Sequence, residues 1–216
     1  NPVEMIGRVP RALASSLYKK VITDHVWRSA REKMGYSVPK DTNLMLMLAG
    51  QPFIDTRLSF HSFLPKNIPP TIAEKLVNHW VKTLSKSPHL HDKIEFDVSV
   101  TSYSFDINEK IKNLVGEVLD DNEKKIFIQS HLEHTRALIT GNNAGSINEA
   151  LKLIENLKKL QKNNVPKCFN SLSKMLDDCI MYGTVPFAIL ARHGFIAKTI
   201  LYSLEKKGIF NKKDIR

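Results

Sequence analysis

Residues 44–63 read LMLMLAGQPFIDTRLSFHSF, and they give the first indication of the fold class. A short continuous apolar run is followed by a segment in which apolar and polar residues alternate. Alternation with a period of two is typical of a strand buried on one side, and Gly50-Gln51-Pro52 between the two parts is turn chemistry. The segment therefore predicts a β-hairpin in which Asp55, Arg57 and His61 share one face. These three side chains could line a reaction site, bind a small molecule, or form the solvent-facing side of a sheet.

A second alternating segment, KIEFDVSVTSYSF at residues 93–105, predicts a third strand. Its apolar side chains alternate with Glu95 and Asp97, which indicates an antiparallel sheet covered on one side. If the strands pair, Arg57 lies among three carboxylates beside His61, and such a surface suits ligand binding or an interface. The alternative is a solvent-facing sheet with cross-strand salt bridges, and spacing by itself favours this alternative.

Helical periodicity and capping signals dominate the rest of the chain. Residues 10–34 and the segment that Pro70 opens are predicted to be helical, and so is everything after residue 105. Two helix starts resemble capping boxes, Asp106 with Glu109 and Ser146 with Glu149.

These elements together predict an α+β fold that is predominantly helical. About three antiparallel strands are expected in the N-terminal half, and the C-terminal half is expected to be helical. We expect a single domain, with a mixed α/β part at residues 1–105 and a helical part at residues 106–216.

The composition is that of an ordinary globular protein, with 42% hydrophobic and 25% charged residues among 216. The net charge is +10, and residues 1–40 contribute half of this excess. No run exceeds two basic residues and no aromatic residues interleave with them, which argues against nucleic-acid binding. No segment of 18 apolar residues is present, and the two cysteines, Cys168 and Cys179, match no metal or redox motif. We therefore expect a cytoplasmic protein with reduced thiols that does not contact a membrane.

Three other groups of titratable residues could carry chemistry. Arg192 and His193 lie within an otherwise apolar helix, where they need carboxylates or an anionic ligand unless they mark a helix end or a partner-facing stripe. His131 and His134 share one side of a helix, and a solvated face is favoured over metal ligation because HLEH is not the H-E-x-x-H motif. His89 and His91 fit an ordinary polar loop better than a metal site.

Four ordered segments resemble the central region of phosphoenolpyruvate synthase-like proteins, relatives of pyruvate phosphate dikinase and of the rifampicin phosphotransferases. These segments are NPVEMIGRVPRALASSLYKKVITDHVW, AGQPFIDTRLSFHSFLP, LHDKIEFDV and LDDCIMYGTVPFAILARHGFIAKTILYSL. The resemblance extends from residue 1 to about residue 204 and is least distinctive between residues 106 and 165.

The resemblance implies that several modules of one protein carry out different steps of the reaction. In that family an ATP-grasp module, which uses ATP and Mg²⁺, phosphorylates a histidine on a swivelling domain, and this histidine passes the phosphoryl group to an acceptor. The sequence has neither a G-G-x-x-S-H loop nor the glycine-rich loops of an ATP-grasp module. We therefore expect an internal domain of a longer chain, without a cofactor of its own, whose partners are the neighbouring ATP-grasp and phosphohistidine domains.

By analogy with the middle region of the rifampicin phosphotransferases, this domain is expected to bind an acceptor substrate or to dock other modules. The expected acceptor-binding residues are Asp55, Arg57 and His61, with Glu95 and Asp97 orienting Arg57. Further candidates are Glu4 and Arg8, from the motif at the start of the chain, and the pair Arg192 and His193. The alternative is a structural spacer in which the same residues hold neighbouring domains together.

Overall fold

The computed structural model of the protein describes residues 2–40, 42–141, 144–163, 170–211 and 213–215. The protein is 67% helical and has a small antiparallel sheet in its N-terminal half, which confirms the predicted fold class. The α-helices found in these residues are α1 (Pro2–Ile6), α2 (Ala12–Tyr18), α3 (Val26–Lys33), α4 (Thr56–His61), α5 (Pro70–Lys86), α6 (Ile107–Leu114), α7 (Asp121–Thr140), α8 (Ile147–Asn163), α9 (Asn170–Cys179) and α10 (Val185–Lys206). Shorter helical elements are a 3₁₀ turn at Pro88–Leu90 and three π-helical turns at Lys19–Thr23, Ile94–Val98 and Ile180–Thr184.

The sheet is a hairpin of two strands, β1 (Met45–Leu48) and β2 (Gln51–Ile54). Ala49 and Gly50 form the turn with φ values of 49° and 76°, the left-handed conformation that a two-residue hairpin turn requires. The hairpin that the sequence predicts is therefore present, although it is shorter than expected.

The prediction that the second strand continues to residue 63 is wrong. β2 ends at Ile54, and the chain turns into α4 immediately after Asp55, a residue type that is favoured just before a helix. Leu58 and Phe60 are both buried within this short helix. The alternation of apolar and polar residues in this segment therefore does not indicate a strand, because the buried residues lie on a helix.

The predicted third strand is also absent, because residues 94–98 form a π-helical turn. Ser99 closes this turn with two hydrogen bonds to the carbonyl oxygen of Ile94, one from its backbone N–H and one from its hydroxyl at 2.7 Å. Beyond the turn, Ser99 and Thr101 are buried like Val98 and Val100. The alternation of apolar and polar residues therefore does not separate a buried face from a solvent-exposed face.

The helices begin close to their sequence signals. α5 has Pro70 in its first turn, and α6 begins directly after Asp106. α8 follows Ser146, whose hydroxyl accepts a hydrogen bond from the backbone N–H of Glu149 at 3.3 Å, as a capping box requires. The helical region predicted at residues 10–34 is divided into α2, a π-helical turn and α3.

The chain divides into two compact units that interleave along the sequence. The first unit comprises the described residues of Asn1–Gly35, Lys40–Asp55 and Gly141–Arg192. The second comprises those of Tyr36–Pro39, Thr56–Thr140 and His193–Arg216. The main hydrophobic core belongs to the second unit, where Phe60 and Phe63 pack with Trp80 of α5 and with residues of α6 and α7.

One helical segment, residues 171–206, is long and apolar enough to cross a membrane by length and composition alone. Its most apolar window of 18 residues has a mean hydropathy of 1.3, and a third of that window is buried inside the protein. Core helices of soluble proteins meet the same criteria, so this segment does not establish a membrane span.

Candidate functional site

The residues predicted to share a strand face do not lie on one. Asp55 is half-buried after β2, where its backbone N–H donates to the carbonyl oxygen of Leu44. Arg57 and His61 lie on α4, and Glu95 and Asp97 lie on the π-helical turn that replaces the expected strand. The carboxylate ladder therefore cannot form, because neither segment is extended.

The hydrogen bond of Arg57 also differs from the prediction. Its guanidinium donates to the side-chain oxygen of Asn78 on α5, and the side chain is exposed. The predicted orientation of Arg57 by Glu95 and Asp97 stays a prediction, and the described hydrogen-bond partner of Arg57 is Asn78.

The further candidate residues lie partly on the surface and partly in the interior of the protein. Glu4 is exposed on α1, and Arg8 is exposed with its Nε donating weakly to the side-chain oxygen of Gln51 at 3.4 Å. Asn1 of the same motif lies outside the described residues. Arg192 and His193 are buried in the middle of α10, with exposed fractions of 1% and 8%, so they do not mark a helix end.

The interpretation of His131 and His134 as a solvated face is wrong. His131 is fully buried in α7, with its ring centroid 4.5 Å from that of Phe127 in an edge-to-face arrangement. His134 is half-buried and packs in the same way against Tyr36 at 4.4 Å. Both rings act as aromatic packing groups in the second unit.

Among the described residues, no group of three or more His, Cys, Asp or Glu side chains could hold a metal ion. Cys179 is an exposed free thiol, and Cys168 lies outside the described residues.

A cavity of about 220 Å³ in the first unit is the strongest candidate for a binding site. Most of its wall is apolar and comes from both ends of the chain and the hairpin: Pro2, Ile22, Val26, Ala30, Met34, Leu44, Ile54, Phe187 and Ala188. Five further lining residues carry a hydrogen-bond donor: Tyr18, Thr23, Trp27, Arg31 and Thr184. An apolar wall with a few polar groups is the usual composition of a small-molecule site.

Two π-helical turns, Lys19–Thr23 and Ile180–Thr184, border this cavity and contact each other. The first contributes Ile22 and Thr23 to the wall, and the second contributes Thr184. Single π-helical turns inside α-helices are rare and frequently occur at functional sites. Two such turns thus converge on this cavity.

Thr184 has a buried hydroxyl oxygen with no hydrogen-bond partner among the described residues. In an α-helix a threonine hydroxyl commonly donates to the carbonyl oxygen four residues earlier. Here that oxygen belongs to Ile180, and it accepts the backbone N–H of Val185 across the wider π-helical turn. Thr184 is also one of the residues that line the cavity.

Tyr18 and Arg31 supply the other main polar groups of the cavity. Burial raises the pKa of the Tyr18 phenol above its usual value of 10.0. A phenol is neutral at physiological pH with or without this shift, so Tyr18 can donate a hydrogen bond. Arg31 lies on α3 with its side chain half-buried, and its guanidinium is charged at any physiological pH.

Packing between α3 and the start of α8 supports one side of the cavity. Gly145 lies so close to the end of α3 that a Cβ atom there would be 2.6 Å from the carbonyl oxygen of Lys33 and 2.7 Å from the Cα of Met34. Met34 also lines the cavity, so this close approach lies beside it.

This cavity cannot be recognised from the sequence. Its lining residues are mostly apolar and come from four separated parts of the chain, so no spacing rule connects them. No protein-family model, no curated protein and no solved structure matches this chain.

Proposed function

We propose that this chain is the non-catalytic acceptor-binding or docking domain of a longer phosphoenolpyruvate synthase-like phosphotransferase, and that the cavity of the first unit holds the acceptor. The observation that carries the proposal is that Thr184, one of the residues lining a mostly apolar cavity, has a buried hydroxyl with no hydrogen-bond partner among the described residues. Buried polar groups in native proteins are nearly always paired. A bound molecule with an oxygen atom beside Thr184 would supply the missing partner.

The segments that carry the family resemblance support this choice of site. Ten of the fourteen lining residues fall within three of the four resembling segments: Pro2, Tyr18, Ile22, Thr23, Val26 and Trp27 in the first, Ile54 in the second, and Thr184, Phe187 and Ala188 in the fourth. Segments that are far apart in sequence thus converge on one cavity.

Under this proposal the chemistry belongs to other modules. ATP and Mg²⁺ would be used by an ATP-grasp module, and a histidine on a further module would carry the phosphoryl group. The described domain would hold and position the acceptor. Asp55, Arg57, His61, Glu95 and Asp97 do not line the cavity, and the proposal gives them no contact with the acceptor.

The chain contains two tryptophans that make a direct binding test possible. Trp27 lines the cavity, whereas Trp80 is fully buried in the core of the second unit, with its Nε1 donating to the carbonyl oxygen of Leu114. A titration with cyclohexylmethanol, followed by ¹H–¹⁵N NMR of the two indole N–H groups, should shift the Trp27 signal saturably in the millimolar range and leave Trp80 unchanged.

Two controls accompany this titration. Ala188→Leu should fill the cavity and abolish the saturable shift while the Trp80 signal stays at its native position. Incubation with labelled ATP should leave the chain unphosphorylated and the ATP intact. Equal shifts of both indoles, or no saturation in the native protein, would reject the cavity as an acceptor site.

A second candidate function, a spacer or interaction domain without a ligand, is favoured by exposed apolar side chains in the first unit. Met5 of α1, Val9 between α1 and α2, and Leu13 of α2 are 71%, 72% and 72% exposed, and Leu48 and Phe53 of the hairpin are also exposed. Such residues suit contact with neighbouring modules of the same polypeptide. Leu13→Glu should weaken the affinity for a separately produced ATP-grasp or phosphohistidine module in calorimetry, while cyclohexylmethanol binding is retained.

A further inference from the structure

We infer that the second unit binds single-stranded nucleic acid on its surface, at an aromatic stripe formed by Phe195, Lys198 and Tyr202 of α10 together with Phe96. Bases stack on the rings of the stripe, and its ammonium group pairs with a backbone phosphate. This inference goes beyond the proposed function. It concerns a different unit from the one that contains the cavity, so neither depends on the other.

Three of the four side chains follow the solvent-facing side of α10. Phe195, Lys198 and Tyr202 are spaced three and four residues apart, and residues with this spacing are neighbours on a helix surface. Phe195 and Tyr202 are 39% and 44% exposed, and Lys198 between them is exposed as well. Ile196 and Thr199 are buried, so α10 is held in the protein by its other side. The prediction against nucleic-acid binding considered only residues that are adjacent in the sequence.

Phe96, a half-buried residue of the π-helical turn at Ile94–Val98, completes the stripe. Its ring packs edge to face against that of Phe195, with the ring centroids 5.7 Å apart. The Lys198 ammonium lies 5.0 Å from the ring centroid of Phe96 and 5.4 Å from that of Tyr202. Both distances are within the range of a cation–π interaction, which holds the ammonium beside the rings without neutralising its charge. The stripe thus combines rings for stacking with a positive charge held next to them.

The charge around the stripe favours an anionic strand. Residues 193–216 contain six Lys and Arg against two Asp and Glu, a net charge of +4. Lys207 and Phe210 are exposed just after α10, so basic and aromatic residues continue to alternate there. Asp97 is exposed beside Phe96 and repels phosphate at that end. The strand is therefore expected to follow α10 towards its C-terminal end.

The position of the rings on an outer helix surface favours a polymer over a small molecule. Small-molecule sites usually bury most of the ligand in a concave pocket. A single-stranded nucleic acid offers a base and a phosphate at every nucleotide, so it can use several weak contacts at once. Stacking requires bases that are not already paired, which is why a single strand fits the stripe better than a duplex.

The test uses a fluorescein-labelled thymidine strand of about twelve nucleotides, a length within the usual site sizes of single-strand binders. Its Kd for the native chain is measured by fluorescence anisotropy at about 50 mM salt and again at higher salt. The comparison probe is an abasic strand with the same number of phosphates. We expect the thymidine strand to bind about tenfold more tightly than the abasic strand, because only the former has bases to stack.

Variants of single residues assign the binding to the stripe. Tyr202→Leu removes the ring and should weaken the thymidine strand about tenfold while leaving the abasic strand within about twofold; Tyr202→Phe keeps the ring and should retain the preference. Lys198→Gln should weaken both strands and reduce the salt slope by about 0.7, the loss of one phosphate contact on a single strand. Lys66→Gln is the matched control, because Lys66 is exposed in the same unit but lies outside α10.

Three outcomes would overturn the inference. Equal Kd values for the thymidine and abasic strands would mean that the binding is only electrostatic. Equal losses of salt slope in Lys66→Gln and Lys198→Gln would assign the binding to the general positive charge. Absence of binding to the thymidine strand at low salt would exclude the site altogether. None of these outcomes changes the cyclohexylmethanol titration of the cavity, so a failure of this inference is distinguishable from a failure of the proposed function.

Discussion

Thr184 and Thr135 both have buried hydroxyl groups, but their hydrogen bonding differs. The hydroxyl oxygen of Thr135 accepts the backbone N–H of Tyr103 at 2.9 Å, whereas that of Thr184 has no partner among the described residues. Removing an unpaired buried hydroxyl eliminates a desolvation cost, and removing a paired one leaves its partner unsatisfied. The same substitution should therefore change stability in opposite directions at the two positions.

We predict that Thr184→Val raises the free energy of unfolding of the ligand-free protein by about 1 kcal/mol. Thr135→Val should lower it by about 1–2 kcal/mol, because the amide of Tyr103 loses its acceptor. Urea unfolding followed by circular dichroism measures both changes. Destabilisation of similar size in the two variants would mean that the Thr184 hydroxyl has a partner in solution, and the proposed site would lose its main support.

Asp106 is the centre of a buried charge cluster in the second unit. It accepts a hydrogen bond from the hydroxyl of Ser104 at 2.6 Å, and it pairs with Lys206 at 3.1 Å and Lys110 at 3.6 Å. Burial by itself would raise the pKa of the Asp106 carboxyl, but these hydrogen bonds and charges outweigh it and lower the pKa below its usual value of 3.8. A lowered pKa in the folded state stabilises the protein above the unfolded value, and this stabilisation is lost as the pH falls through the folded value.

We predict that Asp106→Asn lowers the free energy of unfolding by about 2 kcal/mol at neutral pH, since it removes the charge but keeps a residue suited to the start of α6. The difference from the native protein should shrink as the pH falls from about 4 through the lowered pKa of the native carboxyl, because below that pKa the carboxyl is protonated in both the folded and the unfolded state. Asp97→Asn is the control, because Asp97 is exposed and should contribute less than about 0.5 kcal/mol. A difference that persists unchanged at low pH would show that the charge of Asp106 is not the source of the stabilisation.

At the scale of helices, two glycines without left-handed backbone angles meet opposite surroundings. A Cβ atom on Gly145 would overlap backbone atoms of Lys33 and Met34, whereas one on Gly194 of α10 would meet nothing within 4 Å. Gly145 thus allows the start of α8 to pack closely against the end of α3, beside the cavity.

We predict that Gly145→Ala lowers the free energy of unfolding by about 1–3 kcal/mol, because backbone atoms have to move apart. Gly194→Ala should raise it by about 0.5–1 kcal/mol, since alanine is the better helix former and has free space there. Thermal unfolding measures both, and the Trp27 indole shift reports whether Gly145→Ala alters the cavity. A neutral Gly145→Ala variant would contradict the close packing of α3 and α8.

Elements with local sequence signals, such as helix caps, were predicted correctly. Elements that depend on contacts with distant parts of the chain, such as strands, were predicted wrongly. Ser146 and Glu149 are three residues apart, and their capping interaction forms because it needs only one helical turn. Alternation at residues 94–101 did not produce a strand, because a strand also needs a partner to accept its hydrogen bonds, and Ser99 instead bonds back to Ile94. The cavity was missed because its lining residues are far apart in the sequence, and its most informative atom, the hydroxyl of Thr184, is recognised only by the absence of an acceptor.

At the scale of the whole molecule, the apolar segment at residues 171–206 raises the question of membrane contact. Along α10, residues at helical spacing are buried inside the protein, and they include Arg192, Thr199 and Ser203 alongside Ile189 and Ile196. A membrane span would place these polar side chains in lipid without their present surroundings, which is costly. This pattern is typical of a core helix.

We predict that the chain remains unbound in flotation with vesicles of neutral phosphatidylcholine, because α10 already buries one face in the protein. Vesicles that contain anionic lipid provide the control for the net charge of +10. Binding to anionic vesicles that disappears at high salt would come from surface electrostatics, since exposed charges are screened within about 3 Å at 1 M salt. Flotation with neutral vesicles, independent of salt, would require insertion of the apolar segment and would contradict its assignment as a core helix.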